Sequence, residues 1–245
     1  MRHIAALIAA VGLLATASTA SADDVIDHEP FGQLLETYVD ADGQVAYAQW
    51  KQNDGDLEKL RSYVDSIAEA EPEGHSDEAK LAFYLNAYNA HVLAAILDHW
   101  PTDSPQSIKG FFKVHKREVA GRAMTLDHLE HKLIRKKFDE PRIHFVLVCA
   151  AKACPRLRTS PLTESNLDAS LSEAAGEFIP RVTELNDGKV VTSQLFNWFA
   201  SDFEEAAGSV REYLAEYTDG DVKEALQKEE VEVTFREYDW SINKQ

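Results

Sequence analysis

Positive charge is in short supply in this chain: 25 Lys and Arg stand against 42 Asp and Glu, a formal net charge of −17. So acidic a chain is repelled by nucleic acid and by anionic lipid surfaces, which excludes both as general partners. Cysteine is nearly absent, with two residues, Cys149 and Cys154. Two thiols supply too few ligands for zinc by themselves, and C-x4-C is not the C-x-x-C of thioredoxin-like proteins. After the first 22 residues no long apolar run remains, so no membrane span is expected there. Internal repeats and low-complexity linkers are missing too.

What is present begins with "MRHIAALIAAVGLLATASTASA". Arg2 and His3 precede an apolar run from Ile4 to Ala15, and Ala20-Ser21-Ala22 has the small-residue pattern of a cleavage site. This predicts a signal peptide over residues 1–22 and an exported protein, periplasmic or secreted. The run is shorter than the ~20 apolar residues of a spanning helix. Residues 23–245 are then long enough for one large domain with its own core. Charge is unevenly spread: residues 109–158 hold 13 Lys and Arg against 5 Asp and Glu, a local balance of +8. That segregation fits either acidic flanks folded on a basic middle or a basic concavity for a carboxylate or phosphate, near Arg156 or Arg158.

Patterning predicts an α+β fold, helices packed on a small, mostly antiparallel sheet. "EPFGQLLETYV" is amphipathic, Leu57, Leu60, Val64 and Ile67 have helical spacing, and Ser76 caps a long helix that Pro101 stops. Strands are expected at 45–49, in short pieces from Phe111 to Thr125 with a turn at Gly121, at "IHFVLV" and at "VEVTFREYDW". Two or three further helices are expected over 165–218. Asp40-x-Asp42-Gly43 has an EF-hand look, but the twelfth loop position is Lys51 where a glutamate is needed, so a polar turn is expected.

"FYLNAYNA", "LDHLEHKLIR", "IHFVLVCAAKACPRL" and "LFNWFASDF" follow in that order over about 76–205, with "YDWSIN" near the end. This series resembles the domain-of-unknown-function family 547, which implies no established activity. The resemblance singles out Asn86, Tyr88, Asn89, Glu130, His131, Arg135, His144, Cys149, Cys154 and Pro155. In plant members the position matching Cys154 can be serine, so the resemblance makes neither a disulfide nor a nucleophile there obligatory.

Two readings compete for those residues. In an oxidising compartment an even cysteine count favours a Cys149–Cys154 bridge. Closing so short a ring stabilises by only about 2 kcal/mol, so it would pin a loop. The other reading is a reactive Cys154 thiolate, its pKa lowered by Lys152, Arg156 and Arg158, with His131 or His144 as base and Glu130 orienting it. On an extended "IHFVLVC", His144 and Cys149 face opposite sides roughly 16 Å apart, which favours His131 or His128 from the preceding helix. His128 and His131 share a face, but H-L-E-H is not H-E-x-x-H, so no metal is expected, nor any other cofactor. Asn86 and Asn89 sit on the apolar face of the long helix, where buried amides either clamp a neighbouring loop or bind a ligand's polar group. Arg135, Arg156 and Arg158 are the cationic candidates for that ligand. The expected role is recognition of a small-molecule or peptide-like ligand near residues 130–158, with a cysteine-dependent hydrolase or acyl transferase as the alternative.

Overall fold

The computed structural model describes residues 24–245, so the expected signal peptide lies outside the described residues. In chain order the helices α1 (Glu29–Tyr38), α2 (Tyr47–Trp50), α3 (Asp54–Glu69) and α4 (Asp77–Asp98) come first. An antiparallel hairpin follows, β1 (Arg117–Val119) and β2 (Arg122–Met124), turning at Ala120-Gly121. Next stand α5 (Leu126–His128), a π-helical stretch (Leu129–Ile134) and α6 (Arg135–Lys137), then a 3-10 helix (Pro141–Phe145). The rest is α7 (Leu167–Val182), β3 (Glu184–Asn186), β4 (Lys189–Thr192), α8 (Leu195–Trp198), α9 (Ala200–Ala207), α10 (Val210–Tyr217), α11 (Gly220–Leu226) and β5 (Val233–Phe235). The α+β class holds, with helices dominant. The strands form two small sheets: the hairpin, and a three-stranded sheet in which β4 pairs antiparallel with β3 and parallel with β5.

The long helix α4 starts where its sequence says it should, at Ser76, whose hydroxyl accepts from the Ala79 N–H. Most of its side chains are buried, because the helix is apolar nearly all round. It threads the core and packs against α3 and the π-helical stretch. Beside it, Phe145, Phe178, Phe196, Phe203 and Tyr213 form an aromatic cluster that fastens the 3-10 helix to the later helices. Stacked or tilted ring pairs of this kind add to the burial of their area.

Several expected strands are not strands. Residues 47–50 are helical, 111–115 are turns, and "IHFVLV" opens as the 3-10 helix and continues without a sheet partner. The backbone of that last segment is satisfied differently. Asn89 donates from Nδ2 to the Val146 carbonyl (2.9 Å) and accepts the Val148 N–H on Oδ1 (3.0 Å). Asn86 does the same for both backbone groups of Leu162, at 2.7 and 3.0 Å. Each amide thus replaces one rung of a ladder, which makes an apolar run viable inside the protein without a sheet. Asn89→Ala should cost about 1–3 kcal/mol in chemical denaturation, the penalty for stranding two buried backbone groups. A loss below about 0.5 kcal/mol, the scale of ordinary surface changes, would mean the segment is held by packing alone.

The Asp40–Gly43 stretch is a turn, closed by the Gly43 N–H on the Asp40 carbonyl (2.9 Å), while the Asp40 carboxylate takes the Asp42 and Gln44 N–H groups. Gly43 has φ +75°, and a β-carbon there would lie 2.6 Å from the Leu157 nitrogen. Both facts require glycine, and together they seat the turn on the backbone of Arg156 and Leu157.

Candidate functional site

The site is assembled around the cysteine loop. Cys149 and Cys154 stand at disulfide-bonding distance, with S–S 2.17 Å and Cα–Cα 6.4 Å. Cys154 is buried, and its sulfur accepts the Cys149 N–H at 3.0 Å and the Tyr238 hydroxyl at 3.2 Å. The C-terminal segment holds this loop: Lys152 N–H donates to the Ser241 carbonyl, Ala153 N–H to Asp239 and Asn243 N–H to Ala150. That pairing carries Tyr238 and Trp240 onto one wall of a cavity of about 190 Å³.

Phe112, Trp198 and Phe199 complete the aromatic wall, and Trp198 remains 45 % exposed at its rim. Tyr88, Glu130, His131 and His144 supply the polar lining, with both cysteines and Pro155 beside them. The placement of His144 corrects the expectation drawn from an extended strand. Because the segment coils into a 3-10 helix at Pro141–Phe145, His144 and the cysteines line the same cavity rather than opposite faces.

Glu130 and His131 arrive on the π-helical stretch, a geometry that recurs at functional sites because it re-aims side chains within a helix. The Glu130 side chain keeps 14 % of its surface exposed. Burial pushes its carboxyl up to about 7, although the Tyr88 hydroxyl bonds it and the Arg135 charge pulls the other way. Near neutral pH Glu130 therefore exchanges between acid and carboxylate.

His144 is the best-buried polar group of the site, and its orienting partner is Asp202 rather than Glu130. Its Nε2 lies 2.8 Å from Asp202 Oδ2, and its ring stacks on Phe199 with centroids 4.0 Å apart. Burial lowers the His144 pKa despite Asp202, so the neutral ring donates from Nε2 to the carboxylate. Asp202 also receives both arms of Arg135, Nε at 2.7 Å and Nη2 at 2.5 Å. Burial opposes its charge, yet the bonds from His144 and Arg135 hold its carboxyl well below the usual range. Arg135 Nη1 further meets His131 Nδ1 at 3.1 Å, and its guanidinium lies over Phe199. His131 is pulled down chiefly by burial, with Asp127 3.8 Å from its Nε2 resisting that shift.

Other expected residues lie elsewhere. Asn86 and Asn89 are spent on backbone clamps, Arg158 pairs with Glu173 and Glu177, and Arg156 pairs with Asp42 at 3.0 Å. His128, sharing its helix with His131, is exposed. Among the described residues no group of three or more His, Cys, Asp and Glu is placed to hold a metal ion, and no helix is long and apolar enough to cross a membrane. Sequence reasoning missed Asp202, Trp198, Phe199, Tyr238 and Trp240 as site residues. A signal was available for all five, because "LFNWFASDF" and "YDWSIN" were among the stretches that carried the resemblance.

No curated protein and no solved structure matches this chain. The family model that does match, over residues 72–179, is described as protein of unknown function, DUF547. That span brings in α4, the π-helical Glu130 and His131, His144 and the whole cysteine loop, and the match over these residues supports membership of the DUF547 family.

Proposed function

We propose that this is an exported ligand-recognition protein whose aromatic-walled cavity takes a small or peptide-like ligand beside a bridged cysteine loop. The observation that carries this reading is the cavity itself: an aromatic wall facing Tyr88, Glu130 and His131. Apolar walls with a few convergent polar groups are the usual form of a ligand site. At about 190 Å³ it is smaller than the ~300–1,000 Å³ of drug-sized sites, so it suits one side chain or a small headgroup. The bridge fits a recognition role because it fixes the loop that brings Cys149, Cys154 and Pro155 to the cavity lining.

Trp198 and Trp240 report on occupancy directly. Intrinsic fluorescence titrated with capped dipeptides and with small aromatic and aliphatic amides should show saturable quenching by at least one class, and Trp198→Ala should abolish it. Mass spectrometry of protein purified without reductant should find no free thiol. A panel with no saturable response, or one unaffected by Trp198→Ala, would count against recognition at this cavity.

A cysteine-dependent hydrolase or acyl transferase is the second reading, favoured by one observation. The two donors on Cys154 Sγ would stabilise a thiolate there, and Glu130, His131 and His144 share its cavity. In this reading Asp202 orients His144, as the third group does in a nucleophile–base–acid set. A free, iodoacetamide-reactive Cys154 in untreated protein would move the assignment here.

A further inference from the structure

A second concavity, about 400 Å³, shares Cys154 and Pro155 with the aromatic cavity and has a different character. Lys152, Arg156 and Arg181 line it together with Gln44 and Asn243, and its lone carboxylate is Asp42. In a chain with 42 acidic residues against 25 basic ones, three cations around one acid form a marked local reversal.

The protein itself engages these cations only in part: Lys152 and Arg181 are exposed to solvent, and Arg156 is half-buried. Arg181 lays its guanidinium against Phe178, 5.4 Å from the ring centroid, and no protein acceptor takes a hydrogen bond from it among the described residues. Stacking occupies the face of a guanidinium and leaves its edge donors free. Arg156 makes its ion pair through Nη2 to Asp42, but its buried Nε has no partner. Partial burial lowers the Arg181 pKa, and the neighbouring Arg156 charge lowers it further; Glu177 and Asp42 offset this only in part. Glu177 is moreover shared with Arg158. Two adjacent guanidiniums with free donors are an arrangement that one incoming oxyanion relieves, by bridging both with charge-assisted hydrogen bonds.

We propose that this concavity is an oxyanion site, in which Arg156, Arg181 and Lys152 hold a carboxylate or phosphate group. Asp42 is its built-in competitor. Its carboxylate already sits on Arg156 from an exposed turn, and a bound anion takes over part of that pairing. The turn's register, set by Gly43 against the Arg156 backbone, keeps that competitor in place.

Isothermal titration calorimetry on the full chain, with inorganic phosphate and with acetate in separate runs at ionic strength held constant by chloride, tests this. At least one anion should bind saturably at one site, and the tighter of the two identifies the group. Arg181→Gln should weaken binding about tenfold, the loss of one charge-assisted contact. Asp42→Asn should tighten it, because the competing carboxylate is gone. Lys59→Gln, an equal charge change on α3, should leave it alone. No saturable binding of either anion, or equal weakening by Arg181→Gln and Lys59→Gln, overturns the site. Unchanged affinity in Asp42→Asn overturns the competition.

Discussion

Asp202→Ala is expected to lose about 2–4 kcal/mol of folding stability at pH 7, between the cost of breaking a surface ion pair and that of breaking a fully buried one from one side. Asp202 receives the Arg135 fork and the His144 ring together, and the Arg135 and Asp202 side chains are only 21 % and 22 % exposed. Removing the carboxylate strands a guanidinium between His131 and the Phe199 face and leaves the His144 Nε2–H without an acceptor. The loss should appear in urea denaturation as a lower midpoint with an unchanged m-value. Replacing the whole pair, Arg135→Met with Asp202→Leu, should recover much of it, because a well-packed apolar pair escapes the desolvation penalty. A loss under about 1 kcal/mol for Asp202→Ala would class the contact with ordinary surface ion pairs. The aromatic stacking on Phe199 would then be what positions His144.

Glu130→Gln should change the pH dependence of stability by up to about 3 kcal/mol, at ~1.4 kcal/mol for each tenfold change in proton concentration between the unfolded and folded titrations. The Glu130 carboxyl is raised from 4.5 to about 7 in the folded chain. Between those values the folded state binds more protons than the unfolded one, so this group's contribution declines as pH rises through that window. His28 and His91 act in the opposite sense. Burial lowers each from 6.5 to about 4, so their contribution grows as pH rises over 4 to 6.5. The total profile therefore hides the Glu130 effect, and the difference between variant and parent isolates it. Glutamine keeps the shape and stays neutral, so the variant should match the parent near pH 4.5 and exceed it near pH 8. A flat difference across that range would mean that Glu130 titrates normally, and that the cavity is wetter than its walls imply.

How much of this was legible beforehand differs by kind of feature. The capped start of α4, the periodic α1 and α3 and the Gly121 hairpin depend on neighbours within one turn or one rung, and each was readable from spacing. "IHFVLV" was misread for a definite reason. An apolar run states that a segment is buried, while its backbone partner may come from a distant residue, and here it comes from Asn89, 57 positions away from Val146. With the strand went the geometric objection to His144.

The amino-acid order alone determined the acidic balance, the periodic helices α1, α3 and α4, the proximity of Cys149 to Cys154 and the short list of chemically capable residues. These are local or summed properties, and they need no knowledge of which remote segments meet. Only the tertiary structure decided that Asp202 orients His144 across 58 positions, and that the C-terminal segment brings Tyr238 onto Cys154 across 84. It also sent Arg158 to surface glutamates while joining Arg156 to Arg181 around a second concavity. The physical reason is common to all of these. Hydrogen-bond and charge partners of buried groups are settled by which long-range packing covers the most apolar surface, and side-chain spacing along the chain carries no record of that choice.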